Sequence, residues 1–309
     1  MSEVSDDLRA RVQAAVGVRV RSLAPVGGGI ICQPHRAVLD DGRAVFVKTR
    51  TDAPAGFFEL EAAGLAWLAA ASERGGVPIA RVLAAAPDLL ALEWVPTVAA
   101  SAPAATAFGR ALAFTHNAGA ARFGSAVDGF IGSQPLPAGR AGDSWPEFFA
   151  SARLMPYLDM ARAAHAIDPA DADTVERLAA RLPELGERPE LAEASGALEP
   201  PARVHGDLWA GNVLWTRRSA VLVDPAAHGG HRLFDLAMLD LFGLPFLDAA
   251  VAGYAAAAAE SGRALPAGWR RFLPVHQLFP LLVHAVHFGG RYGPAAGVMA
   301  RRALALLPD

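Results

Sequence analysis

The hydrophobic pattern of this 309-residue chain changes near Val95, and the change limits the folds open to it. Before that point, alternating apolar stretches broken by turn signals predict about five antiparallel strands, and GFFELEAAGLAWLAAASERGG has the spacing of one helix. After it the pattern is mostly helical, apart from short strands around 203–224. We therefore predict an α+β fold with a β-rich lobe over 1–95, a helical lobe over 96–309 and a cleft between them.

Composition narrows the class of protein. Hydrophobic residues make up 53% of the chain and the formal net charge is −3, so no basic field points to nucleic acid. The single cysteine, Cys32, rules out an internal disulfide framework. No apolar run is long enough to span a membrane, and the acidic N-terminus has no secretory core. We predict a cytoplasmic protein that acts on neither membranes nor nucleic acid.

Three consecutive glycines, Gly27, Gly28 and Gly29, separate the first two predicted strands. Glycines allow a backbone to approach a phosphate closely, and successive N–H groups can face it. Taken alone, the triplet is more typical of a plain hairpin turn, so by itself it is weak evidence for a phosphate-binding loop.

A lysine in the apolar strand AVFVKT needs a partner for its amine. Lys48 could reach a nucleotide phosphate and a carboxylate on the next helix, where Glu59 and Glu61 point in different directions. The apolar positions of that helix place Glu61 on its buried face, so Glu61 is the predicted partner. The alternative is an edge-strand lysine in water.

The stretch RVHGDLWAGNVLW places polar residues in an apolar run, where they cost free energy unless they are paired or used. Asp207 and Asn212 keep the spacing of a kinase catalytic loop, and Asp224 follows at the end of the strand AVLVD. Phosphoryl transfer requires a carboxylate at the acceptor oxygen and oxygen ligands for magnesium. The alternative is structural, with Asp207 capping a helix and Asp224 starting a turn.

Taken together, HGDLWAGNVLW, LVDPAAHGGHRLFDLAML, FVKTR with FELEAAGL, and GWRRFLPVHQLFPLLVHAVHFGGRYG resemble the fructosamine kinase family. These ketosamine 3-kinases are relatives of aminoglycoside and choline kinases, and the tryptophan after HGDL distinguishes them from aminoglycoside kinases. The resemblance covers roughly residues 20–305.

The resemblance implies a two-lobed, protein-kinase-like fold and ATP-dependent phosphorylation of a ketose joined to an amine. Phosphorylation at C3 would make the adduct unstable and release the amine, from a small molecule or a protein. By the same resemblance, Asp207 is the catalytic base, and Asn212 and Asp224 bind Mg²⁺. Lys48 and Glu61 form the ion pair that positions ATP, and the backbone from Glu93 to Val95 meets adenine.

On the acceptor side we predict substrate contacts from Trp209, His231, His284 and Asp128. Here the chain departs from the family. Gly229 replaces a tyrosine, Leu233 an acidic residue, and Val283 an asparagine. In the loop that usually reads Asp-Asn-Phe-Ile-Gly, Gly129 takes the place of the asparagine. These changes surround the acceptor and leave the identity of the substrate open.

Two rival functions remain from the sequence. One is a small-molecule kinase of the aminoglycoside or choline kinase type acting on another hydroxylated amine. Polycationic aminoglycosides favour an acidic acceptor lobe, whereas residues 276–301 contain neither Asp nor Glu. The other is a nucleotide-binding pseudokinase, against which the joint presence of Lys48, Asp207, Asn212 and Asp224 argues.

Overall fold

A five-stranded antiparallel sheet forms the first lobe of the computed structural model, which describes residues 2–27, 29 and 31–308. The strands are β1 (Val20–Pro25), β2 (Gln33–Leu39), β3 (Ala44–Thr49), β4 (Val82–Ala86) and β5 (Leu89–Glu93). Their spatial order is β1-β2-β3-β5-β4. Gly42, at φ +85°, closes the turn between β2 and β3, where a side chain would be strained.

Two helices cover the two faces of this sheet. Helix α1 (Ser2–Val16) packs through Leu8 and Val12 on one face, and α2 (Phe57–Ser72) packs through Phe58 and Leu65 on the other. Strand β5 serves both faces, because its alternate residues Leu89 and Ala91 join the α1 cluster while Leu90 and Leu92 join the α2 cluster. Lys48, on the neighbouring β3, is thereby held in a strand with little freedom to move.

The second lobe is mainly helical. Its helices are α3 (Ala102–Asn117), α4 (Trp145–Phe149), α5 (Met155–Ala163), α6 (Pro169–Arg181), α7 (Glu184–Glu187), α8 (Pro189–Ser195), α9 (Leu233–Phe242), α10 (Leu247–Glu260), α11 (Leu273–Phe288) and α12 (Tyr292–Leu304). Helices α3 and α10 lie unusually close. A Cβ on Gly109 would meet the Ala250 carbonyl oxygen at 1.8 Å, and a Cβ on Gly253 would meet the Thr106 carbonyl oxygen at 2.2 Å. A π-helical turn over Ala150–Leu154 joins α4 to α5.

Short strand pairs interrupt these helices. The predicted strands of VLW and AVLVD are β9 (Val213–Trp215) and β10 (Ala220–Leu222), which pair antiparallel. The pairing of β8 (Ala202–Val204) with β11 (His228–Gly230) was not predicted, since HGG carries no strand-like pattern. The third pair is the hairpin of β6 (Gly129–Ile131) and β7 (Gln134–Leu136).

The predicted two-lobed α+β fold is confirmed. The sheet ends at Glu93, two residues before the boundary predicted from the pattern change, and that boundary itself stays a prediction. The lobes are tied together where Ala80 N–H donates to the Leu222 carbonyl at 3.1 Å and Leu222 N–H donates to the Pro78 carbonyl at 2.9 Å. Within the described part of the chain, no helix has the length and apolar character needed to cross a membrane.

Candidate active site

A cavity of about 1210 Å³ lies between the lobes and is lined by both of them. We call one part its ionic end and the other its aromatic end. The ionic end comprises Lys48, Glu61, Asp207, Asn212 and Asp224. The aromatic end comprises Trp209, Phe242, His284, Phe288 and Tyr292.

Lys48 joins the two lobes at the ionic end. Its Nζ lies 2.6 Å from Glu61 Oε1 on α2 and 2.9 Å from Asp224 Oδ1, just beyond β10. Burial by itself would lower the pKa of Lys48, but the two carboxylates outweigh burial and raise it above the ordinary lysine value. The lysine is therefore a fixed cation, and Glu59, the other candidate partner, is exposed.

Asp224 has a left-handed backbone, with φ +53°. That conformation costs a residue other than glycine on the order of 1 kcal/mol, so its surroundings must hold it. Asn212 contributes, because its Nδ2 donates to the Asp224 carbonyl at 3.3 Å and to the Asp207 carbonyl at 2.8 Å. The asparagine thus fixes the spacing of the two aspartates.

The carboxylate of Asp207 also accepts from Asn212, whose Nδ2 lies 3.2 Å from Oδ2. Burial and, next, the negative charge of Asp224 raise the pKa of Asp207 to about 7, while the Asn212 hydrogen bond opposes the rise. A carboxylate with a pKa in this range can take up a proton near neutral pH, as a general base must.

Three buried residues that we did not single out in the sequence hold the loop before Asp207. Asp235 on α9 accepts hydrogen bonds from the N–H groups of His205 at 2.8 Å and Gly206 at 3.0 Å. His116 Nε2 lies 3.1 Å from Asp235, and its Nδ1 lies 2.8 Å from the Tyr254 hydroxyl. The sequence feature that could have identified them was Asp235 itself, a charged residue in the apolar helix LFDLAML. A buried carboxylate needs partners, just as Lys48 does in its strand.

The predicted glycine loop borders the cavity through Gly27 and Gly29, and Gly28 lies outside the described residues. Gly29 has φ +90°, and a Cβ there would come within 2.5 Å of the Cys32 carbonyl oxygen. Only glycine fits this position without a shift of the backbone.

The segment predicted to meet adenine runs from Glu93, the last residue of β5, to Val95, and none of its residues is among those that line the cavity. Glu93 N–H is already used, because it donates to the Arg81 carbonyl at 2.9 Å. Within the described residues, Val95 N–H donates to no protein acceptor. The Val95 side chain belongs to an apolar cluster that also contains Phe46 from the first lobe and Val223 from the second.

The predicted acceptor residues divide into two groups. Trp209, 44% exposed, and His284 line the cavity. Asp128 is not among its lining residues, because its Oδ1 faces its own loop and accepts from Ala138 N–H at 2.8 Å. His231 is not in the cavity either, and only 2% of it is exposed.

His231 lies in the core for a clear reason. Its Nε2 is 3.0 Å from the Gly196 carbonyl oxygen, and its Nδ1 accepts from Leu233 N–H at 3.1 Å. Its ring centroid is 4.7 Å from that of Trp145. These contacts hold the side chain beneath the start of α9, outside the cavity.

A sheet lobe with a lysine paired to a helix carboxylate, facing an Asp–Asn loop and a second aspartate, is the arrangement of the kinase-like phosphotransferases. The family comparison agrees with this class. The chain belongs to the fructosamine kinase family, whose model matches residues 2–306.

Individual relatives match most of the chain. The chain is 33% identical to a "probable ketoamine kinase" of Synechocystis, covering 93% of this chain and 91% of that protein. It is 35% identical to another of that description from Thermus thermophilus, covering 87% and 88%. A crystal structure of a Thermobifida fusca protein, provisionally named fructosamine-3-kinase, matches with a TM-score of 0.86 at 42% identity, covering 97% and 99%. The protein is accordingly an enzyme of a kinase family.

Proposed function

We propose that the protein uses ATP to phosphorylate the C3 hydroxyl of a ketosamine in the cytoplasm, after which the unstable product releases its amine. The observation that carries this proposal is the convergence of Lys48, Asp207, Asn212 and Asp224 at one end of a cavity whose other end is aromatic. The names of the full-length relatives supply the substrate class, and the C3 position and the deglycating purpose extend it.

The nucleotide occupies the ionic end in this proposal. The backbone around Gly27 and Gly29 faces the phosphates, and the Lys48 ammonium, held by Glu61, contacts them as a fixed positive charge. The free N–H of Val95 is available to adenine, beside the apolar cluster that contains Phe46.

The oxygens available for a metal fit magnesium. Asp224 uses Oδ1 for Lys48, and among the described residues its Oδ2 makes no hydrogen bond. Asn212 turns its Nδ2 toward three oxygens, which leaves its amide oxygen as a ligand. A hard cation prefers such oxygens, so we assign these two side chains to Mg²⁺, which would neutralise charge on the transferring phosphate.

Asp207 faces the acceptor hydroxyl. Its Oδ2 is oriented by Asn212, and Oδ1 is left to accept a hydrogen bond from the sugar. With its pKa raised to about 7, the carboxylate can take the hydroxyl proton as the phosphoryl group moves onto the oxygen. The bonds from Asp235 to the His205 and Gly206 N–H groups keep the loop in the geometry this requires.

The aromatic end limits the acceptor. Among the described lining residues, carboxylates occur only at the ionic end, as Glu61, Asp207 and Asp224. A polycationic aminoglycoside would have no acidic wall to contact, whereas a sugar ring can lie against the half-exposed Trp209.

The test is a substrate panel with the purified protein and ATP–Mg. We expect turnover of ketosamines such as fructosyl-, ribulosyl- and erythrulosyl-lysine, and product NMR should place the phosphate on C3. The Asp207→Asn variant serves as the control for contaminating kinases. Turnover confined to aminoglycosides or choline would overturn the proposal in favour of the other kinase class.

A further inference from the structure

Three aromatic rings pack around His284 at the aromatic end. The His284 ring stacks on Phe242 with centroids 4.5 Å apart and an interplanar angle of 28°. Tyr292 lies 5.0 Å away and Phe288 5.5 Å away. All of these side chains line the cavity that also contains Asp207, so they face the acceptor and not a separate pocket.

The hydrogen bonding of His284 fixes which nitrogen carries the proton. Nδ1 lies 2.8 Å from the Pro280 carbonyl oxygen, one turn earlier on α11. A carbonyl oxygen only accepts, so Nδ1 donates and Nε2 keeps a lone pair. Burial and the neighbouring His287 lower the pKa of His284, so the ring is neutral near pH 7 and Nε2 is a hydrogen-bond acceptor.

One of the rings beside this acceptor is largely exposed. Phe288 is 50% exposed, whereas Phe242 is stacked against His284. Tyr292 already has a cation near it, since the Arg291 guanidinium lies 5.7 Å from its centroid. The exposed ring of Phe288 and the lone pair of His284 are therefore available to a ligand, beside His287, which also lines the cavity and whose Nε2 has no hydrogen-bond partner among the described residues.

We propose that His284 Nε2 and the face of Phe288 bind the protonated secondary amine of the acceptor. This inference rests on the proposed function, because a ketosamine carries a secondary amine on C1, two carbons from the phosphorylated C3. An ammonium can donate to Nε2 and also gains from the ring quadrupole, whereas a hydroxyl gains only the hydrogen bond. A single cation needs no acidic wall, which agrees with the lack of carboxylates along this part of the described lining.

The discriminating experiment compares two acceptors that differ only at the amine. One is a fructosyl alkylamine, and the other is the thioether in which sulfur replaces the nitrogen, which is neutral and nearly the same size. We expect the wild type to prefer the amine by about 10-fold in kcat/KM, which corresponds to about 1.4 kcal/mol. His284→Ala and Phe288→Leu should each reduce that preference to about 2-fold or less, with KM for ATP unchanged.

Two further variants keep the result specific. Phe114→Leu removes an exposed ring outside the cavity and should leave the preference at the wild-type value. His284→Gln restores an acceptor oxygen near the Nε2 position and should recover part of the preference that His284→Ala loses. The ratio of two substrates within one variant does not depend on how much of that variant is folded.

Each result decides the matter. Equal use of amine and thioether by the wild type, or a preference that survives in both His284→Ala and Phe288→Leu, overturns the amine subsite while ketosamine phosphorylation stands. Failure of the wild type to phosphorylate either compound overturns the proposed function and this inference with it.

Discussion

The two ends of the cavity are built on different physical principles. At the ionic end, the side chains are held by charge pairs and hydrogen bonds, as with Lys48 Nζ between Glu61 and Asp224. At the aromatic end, rings pack at 4.5–5.5 Å and Phe288 is half exposed. Charge–charge geometry tolerates little displacement, whereas apolar contact falls gradually with lost area. Substitutions at the ionic end should therefore abolish function, and those at the aromatic end should tune it.

The largest effect should come from Asp224→Ala. This change removes the carboxylate assigned to magnesium and leaves Lys48 with Glu61 alone. We expect ATP–Mg affinity to fall at least ~100-fold by isothermal titration, a loss of about 2.7 kcal/mol. Asp128→Ala, an exposed aspartate outside the cavity, is the matched control and should bind like wild type. Unchanged ATP–Mg affinity in Asp224→Ala would contradict the metal assignment.

Asp207→Asn should come next, and should act on turnover and not on binding. The amide keeps the shape of the side chain but cannot take a proton, so we expect kcat to fall by about 10² or more. ATP affinity should change little, because no nucleotide contact is assigned to this side chain. Single-turnover kinetics beside nucleotide titration separate the two quantities. Near-normal turnover would contradict the assignment of Asp207 as the general base.

Trp209→Ala probes the other end and should have a smaller effect. If the indole carries the sugar ring, KM for the ketosamine should rise by about 10-fold, and KM for ATP should stay near wild type. Trp209→Phe keeps a ring face and should recover most of the loss. A rise in both KM values together would mean that the indole supports the structure of the lobe instead of the acceptor.

The sequence predicted the ionic end better than the aromatic end, and periodicity explains why. Strand alternation and helical spacing are local rules, and they were enough to select Glu61 over Glu59 as the neighbour of Lys48. The contacts of Asp235 with His205 and His116 join segments far apart in the chain, and no local pattern reports them.

The acceptor side shows that a residue next to a cavity-lining segment in the sequence need not face the cavity. Two predicted acceptor residues, Asp128 and His231, follow cavity-lining segments in the chain yet point elsewhere. Their direction is decided by the Ala138 N–H in one case and by the Gly196 carbonyl and Leu233 N–H in the other. Whether a side chain near a site faces it depends on tertiary hydrogen bonds, which a single sequence does not contain.

His231→Asn should have the smallest kinetic effect and a clear effect on stability. Asparagine can still accept from Leu233 N–H at the start of α9, but it loses the packing on Trp145 and the contact with Gly196. We expect both KM values to stay within about 2-fold of wild type and the free energy of unfolding to fall by about 1–3 kcal/mol. A selective rise in KM for the ketosamine would show that His231 does act at the acceptor site.

The pH dependence of unfolding gives the same variant a second readout. Burial lowers the pKa of His231 from 6.5 to about 4, and protonation would also cost the hydrogen bond that its Nδ1 accepts from Leu233 N–H. The unfolded chain therefore binds this proton more readily than the folded one, and the free energy of unfolding falls as pH drops from about 6.5 toward 4. Between pH 7 and pH 5, this one group lowers the free energy of unfolding by about 2 kcal/mol. Urea unfolding at the two pH values should show a difference smaller by that amount in His231→Asn, with the rest left to other titratable groups, among them the buried His205, His228 and His276. An unchanged pH dependence would mean that residue 231 is not held neutral by the core.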